Sequence, residues 1–215
     1  GAYANDGGGT DSGHVRIYEN NNGTWTQIGS DINGESSYDY FGWSVSLSGD
    51  GSVVAIGAQR DDGTSTDAGH VRIYENNNGT WTQIGSDIDG EASTNYLGHS
   101  VSLSDDGSIV AIGASHNDGG GTYSGHVRIY KNDNGTWTQI ASDIDGESSY
   151  DYSGYSQSGS AVSLSSDGTV VAIGAFQNDG GGSNSGHVRV YKNIGTTGLN
   201  FTTDDTTAPV LSSST

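Results

Sequence analysis

The stretch Tyr40-Phe-Gly-Trp-Ser-Val-Ser-Leu-Ser-Gly-Asp-Gly-Ser-Val-Val-Ala-Ile-Gly-Ala58 decides the fold. Trp43, Val45 and Leu47 alternate with smaller or polar residues, the period of two that gives a strand two unlike faces. Gly49-Asp50-Gly51 then supplies residues that tolerate the positive φ of a tight hairpin. Val53 to Ala58 is apolar on both faces, which predicts a strand covered on both sides, with Gly57 and Ala58 small enough for another backbone to approach. Working outward, His70-Val-Arg-Ile-Tyr74 reads as a third strand. Trp81-Thr-Gln-Ile84, after the Asn76-Asn-Asn-Gly79 turn, reads as a fourth, so the unit is a four-stranded antiparallel meander.

The unit returns along the chain. Gly-His-Val-Arg-Ile-Tyr starts at Gly13, Gly69 and Gly125, and as Gly-His-Val-Arg-Val-Tyr at Gly186. The spacing is 56 residues twice and then 61, the excess being accounted for by Ser156 to Ser160. A fixed period marks an array whose units bury apolar surface only against neighbours. No segment carries a helical stripe, and the 215 residues include 36 glycines and one proline. The predicted class is all-β, built of β-propeller blades. A β-solenoid is the alternative, but its coils are shorter and lack tight Asp-Gly hairpins.

Tyr40 to Ser48 followed by Val54-Ala-Ile-Gly-Ala58 resembles the FG-GAP repeat of integrin α-subunit propellers and their bacterial relatives. Leu97-Gly98 and Ser153-Gly154 replace Phe41-Gly42 in the later copies, and proline is missing after Gly-Ala in all of them. The resemblance covers nearly all of residues 1–195. Many such repeats hold calcium in an Asp-x-Asp-x-Asp-Gly loop between the first two strands. Here that connection is only Ser48-Gly-Asp-Gly51 or Ser104-Asp-Asp-Gly107, too short for it, so that site is not carried over.

Gly1-Ala2-Tyr3-Ala4-Asn5-Asp6 aligns with Gly113 to Asp118, so the first unit starts at the end of a second strand. The expected division is a partial blade at 1–34, blades at 35–90, 91–146 and 147–201, and a linker at 202–215. Leu199 to Thr202 is expected to supply a degenerate fourth strand. An incomplete ring or a four-bladed one both fit this count, and open sheet edges would favour a homo-oligomer.

The 26 acidic and seven basic residues give a net charge of -19. Four of the cations are the repeated Arg16, Arg72, Arg128 and Arg189, leaving little positive charge for nucleic acid or anionic membranes. No apolar run approaches a membrane-spanning helix, so no membrane insertion is expected. The lack of cysteine excludes disulfides and thiol chemistry. The composition resembles that of bacterial secreted or cell-surface proteins.

In a propeller the second-to-third and fourth-to-first connections share a face. The former carry Asp6, Asp61, Asp62, Asp118 and Asp179. The latter carry Asp31, Glu35 and Asp39, then Asp87, Asp89 and Glu91, then Asp143, Asp145, Glu147 and Asp151. That face is expected to be ringed by carboxylates. Calcium, which takes six to eight oxygen ligands, is the cation it would suit, and Asp87-Ile-Asp-Gly-Glu91 is the densest set. A solvated acidic surface is the equal alternative.

Alternation places His70, Arg72 and Tyr74 on one strand face, and the set appears in every copy, which predicts an interblade seam with arginine paired to acidic loops. Zinc is disfavoured at these histidines because no cysteine or second histidine stands at ligand spacing. Tyr38, Tyr40, Tyr96, Tyr150 and Tyr152 cluster beside the acidic loops, an aromatic platform suited to a glycan. Trp43, His99 and Tyr155 share one repeat position and are expected to pack between blades, while Trp25, Trp81 and Trp137 cover the outer strand. Asn22-Gly-Thr, Asn78-Gly-Thr and Asn134-Gly-Thr match a glycosylation pattern but equally the demands of an Asn-Gly turn.

These features predict a secreted or surface binding and adhesion module for a protein or glycan ligand, with calcium as an assisting cation. A self-assembling surface or filament protein is the alternative, and part of a secreted hydrolase the second. Because no acid, histidine or serine stands out as unique to one unit, the chain is expected not to be an enzyme.

Overall fold

The computed structural model describes residues 1–155, 161–193 and 201–203. Its described regular structure is all strand. In the first complete blade the inner strand Phe41–Leu47 pairs with Val53–Ala58, which pairs with His70–Asn77, which pairs with Thr80–Gln83, all antiparallel. The second blade repeats this order with Leu97–Leu103, Ile109–Ala114, His126–Asp133 and Thr136–Gln139. The third uses Val162–Leu164, Val170–Ala175, His187–Asn193 and Phe201–Thr203. Its fourth strand is Phe201–Thr203, and Leu199 and Asn200, where the sequence placed the start of that strand, lie outside the described residues. The five-residue excess and most of the expected linker lie outside the described residues.

The partial blade is as the alignment of Gly1 with Gly113 predicts. Ala2 bridges His14, the same register as Ala58 with His70 and Ala114 with His126. One feature departs from a simple four-stranded meander. The blade's outer edge is split: Thr80–Gln83 pairs with the end of the third strand, and a two-residue strand, Ile88–Asp89, pairs with its beginning. Ile144–Asp145 and Ile32–Asn33 do the same elsewhere. Gly85, at φ 73°, lets the chain step between the two pieces.

The core lies between blades. Val54, Ile56 and Ala58 point back to Val15, Ile17, Ile32 and Phe41, while Ala55, Val71 and Ile73 point forward to Leu97, Val101, Leu103, Val110 and Ile112. A third cluster joins Ala111, Val127 and Ile129 to Val162, Val171 and Ile173. This explains why the second strand is apolar on both faces. Gly57 meets the backbone of Gly98, and Gly113 that of Gly154, so the blades approach closest where a side chain is missing.

Outer tryptophans complete two of the three seams. The indole N–H of Trp81 donates to the carbonyl of Ile28 at 2.9 Å, and that of Trp137 to Ile84 at 3.0 Å. They cross to the preceding blade rather than merely covering their own strand.

Candidate functional site

The connections expected to share one face do interlock there. Each fourth-to-first loop is laced to the preceding second-to-third loop by backbone bonds: Tyr38 N–H to Thr10, Thr94 N–H to Thr66, and Tyr150 N–H to Thr122, at 2.7–2.9 Å. Asp62, Asp118 and Asp179 each accept a backbone N–H five residues ahead, from Asp67, Tyr123 and Asn184. Asp6 does the same for Asp11. These carboxylates serve as internal ties of their own loops.

All five tyrosines singled out from the sequence lie on this face in left-handed backbone conformations: Tyr38 (φ 73°), Tyr40 (59°), Tyr96 (53°), Tyr150 (68°) and Tyr152 (51°). Such φ values cost on the order of 1 kcal/mol each outside glycine and persist only where surroundings impose them. The lacing bonds impose them here. The rings form a ridge. Tyr40 stacks near Trp43, with centroids 6.3 Å apart, and Trp43 lies 5.5 Å from His99, which lies 4.4 Å from Tyr155. Tyr155 then contacts Tyr152 and Phe176 at 5.8 and 5.1 Å. His116 joins Tyr96 to Tyr123 at 4.7 and 5.1 Å, and Tyr123 reaches Tyr150 at 5.9 Å. Tyr150 is 53% exposed, so the ridge has an outward ring as well as packed ones, and Tyr38, 57% exposed, stands apart from the stacked rings.

Sequence reasoning missed Tyr3, Arg60, His116, Tyr123 and Phe176. Tyr3 packs 4.8 Å from Trp43, and the Arg60 guanidinium lies 4.9 Å over the Tyr40 ring. Aligning the copies would have found several, because Tyr123 stands where other units have Asp11, Asp67 and Asn184.

The ring of free carboxylates requires correction. Asp31, Asp87 and Asp143 lie at the split outer edge, where each meets its unit's arginine. Arg16 and Arg128 grip Asp31 and Asp143 through two bonds of 2.8–2.9 Å, and Arg72 reaches Asp87 at 3.1 Å. Gln27, Gln83 and Gln139 add a further bond to each acid. Glu35, Glu91 and Glu147, which open the three later blades, pair with Arg72, Arg128 and Arg189 of those same blades. Hydrogen bonds from Arg16 and Gln27 hold the Asp31 carboxyl down at about 2. Burial opposes the same effect at Asp143, but Gln139 and Arg128 still hold it low. Asp87, Asp89 and Glu91 do not converge as the spacing suggested. The short strand sends Asp87 to Arg72, Glu91 to Arg128, and Asp89 into register opposite His70. Asp145 takes the corresponding register opposite His126.

One unit differs. Asp61 lies 3.0 Å from His70 Nδ1, and Asp89 completes a group of three whose ligand atoms fall within 4.8 Å of one another. Asp39 is buried beside them at 3% exposure, and that burial, with Asp61 nearby, pushes its carboxyl up to about 6. Glu91, His126 and Asp143 form a second compact group, but both acids already share Arg128.

The FG-GAP repeat family matches residues 33–74. No curated protein matches the chain in sequence. Among solved structures, a putative 6-phosphogluconolactonase from Bacteroides uniformis is similar at a TM-score of 0.58 and 14% identity, over 90% of this chain and 48% of that one. A periplasmic gluconolactonase from Pseudomonas aeruginosa gives 0.48 at 15% identity, over 83% and 46%. The chain thus spans about half the length of either. The first likeness shows the propeller fold. It also corrects the expectation that the chain is not an enzyme. Repetition was taken to exclude catalysis, yet this architecture is shared with a protein described as a lactonase, and Asp61 is an acid confined to one unit. The repeat match points to an extracellular or envelope-associated protein.

Proposed function

We propose that this array of FG-GAP propeller blades is an extracellular binding module, and that its loop face, through the aromatic ridge, takes a glycan displayed at a cell surface. The observation that carries the reading is the continuous ridge of packed rings that runs from Tyr40 through Tyr152 to the exposed Tyr150, its tyrosines held at positive φ. Strain of this kind concentrates at binding sites, because fixed rings lose little freedom when a sugar face stacks on them. A surface of net charge -19 repels anionic polymers, so the ligand class is a neutral or amine-bearing polysaccharide. The reading does not call on calcium. Retarded migration of the chain in gels cast with soluble neutral polysaccharides, relative to a gel without them, tests it. Unchanged migration across a broad panel of neutral and amine-bearing polymers would refute it.

A second reading, association between copies, is favoured by the outermost sheet faces. Val188 and Val190 are 68% and 47% exposed, whereas their repeat counterparts Val127 and Ile129 are buried in a seam. Val45 and Leu47 are 44% and 48% exposed, whereas Val101 and Leu103 are buried. These are the two halves of the seam that the chain builds internally, so the two faces are complementary to one another.

A further inference from the structure

We propose that Asp61, His70 and Asp89, with the buried Asp39 carboxyl nearby, form a binding site for a first-row divalent cation of the zinc or manganese type in the first complete blade. The argument begins with the repeat. Asn5, Asn117 and Asn178 occupy the position of Asp61, and in all four units the side-chain oxygen accepts the same turn N–H, from Gly7, Gly63, Gly119 or Gly180 at 2.7–2.9 Å. The turn therefore needs only an amide oxygen. In the last unit the Asn178 amide also donates to Asp151 at 2.8 Å, and Asp151 is the repeat counterpart of Asp39. Aspartate at 61 removes that donor and sets two carboxyl groups together in a buried place, 3% and 9% exposed. The change creates an electrostatic deficit that backbone geometry does not require, and a cation relieves it.

His70 is the independent sign. It is 2% exposed, its Nδ1 lies against Asp61, and its Nε2 has no hydrogen-bond partner among the described residues. A buried imidazole that sets Nδ1 against Asp61 and shares a ligand-sized space with Asp89 has the donor chemistry of a metal ligand. His70 and Asp89 are cross-strand partners, so two ligands come from paired strands of fixed geometry. The neighbouring cation does not fill the role, because Arg72 is engaged by Asp87 and Glu35. One nitrogen with carboxylate oxygens on a rigid frame suits zinc or manganese better than calcium, which prefers six to eight oxygens in a flexible loop. The sequence argument against zinc looked for cysteine or a second histidine at fixed spacing, whereas these ligands come from three separate segments.

The test is calorimetric titration of zinc and, separately, manganese chloride into chelator-treated protein, alongside D61N, which installs the residue found in the other units. D31N, altering a carboxylate of the partial blade, is the control. The expected result is one site per chain in the wild type and in D31N, with affinity reduced roughly 100-fold or more in D61N. A melting temperature for metal-free D61N at or above that of the wild type shows that the loss is not unfolding. Absence of saturable zinc or manganese binding, retention of the site in D61N, or a response to calcium alone would each overturn the proposal.

Discussion

The indole N–H of Trp43 donates to Nδ1 of His99 at 2.8 Å across the boundary between two blades. The bond requires His99 to be neutral with its proton on Nε2, since a protonated imidazole cannot accept there. Burial, with a smaller contribution from His116, pushes the His99 pKa down to about 4. The unfolded chain has the ordinary value near 6.5 and binds more protons between the two. Stability therefore falls as pH drops from about 6.5 to about 4, by roughly 3 kcal/mol from this residue, and levels below. Chemical denaturation at stepped pH should show that slope in the wild type and a shallower one in H99L. Equal slopes would remove His99 from the account.

The repeated arginine pairs differ in burial. Arg72 is 3% exposed and Arg16 is 45% exposed. Removing one partner of a buried ion strands its charge, whereas an exposed ion turns to water. D87A leaves buried Arg72 with only the exposed Glu35 and should lose about 3 kcal/mol of unfolding free energy. D31A should change it little. Urea melts compare the two directly, and similar losses would contradict this division.

Close approach of the blades at glycine makes a similarly graded prediction. A Cβ on Gly57 would run into the Gly98 carbonyl and Ser44 Oγ, whereas one on Gly23 meets open space. G57A should cost about 3 kcal/mol by forcing a seam apart. G23A carries only the penalty of its left-handed backbone, on the order of 1 kcal/mol. Thermal melts of the two variants should separate clearly.

If the outermost faces are halves of one seam, sedimentation should show an average mass that rises with concentration. V188E should reduce the rise, because it places a charge on the exposed half of the seam. A concentration-independent monomer in the wild type would set association aside.

Most of the fold was legible because its signals are local. Alternation at Trp43, Val45 and Leu47, the Asp50-Gly51 turn, and the doubly apolar Val53–Ala58 each specify one strand or hairpin, and repetition supplied the architecture. The split outer edge was not legible, since a two-residue strand at Ile88–Asp89 has no period to read. That piece of pairing redirected the acids expected in a free loop onto Arg16, Arg72 and Arg128. Tyr38, Tyr40, Tyr96, Tyr150 and Tyr152 were visible because they recur in the same interblade loop of successive copies. Tyr123, His116 and Phe176 join them only through the fold. Asp61 was readable in principle, as an aspartate where three other units carry asparagine, but only position-by-position alignment reveals it.

The central claim is that recognition takes place on the ridge of the loop face. The most direct measurement is calorimetric titration of the polysaccharide that retards the chain, in short soluble form, into the wild type, Y150A and W25A. Tyr150 lies on the ridge, whereas Trp25 is equally exposed, at 66%, on an outer strand away from it. The account predicts roughly tenfold or greater loss of affinity in Y150A, the effect of removing one stacking ring, and wild-type binding in W25A. Loss in W25A with retention in Y150A would place recognition on the outer strands and contradict it.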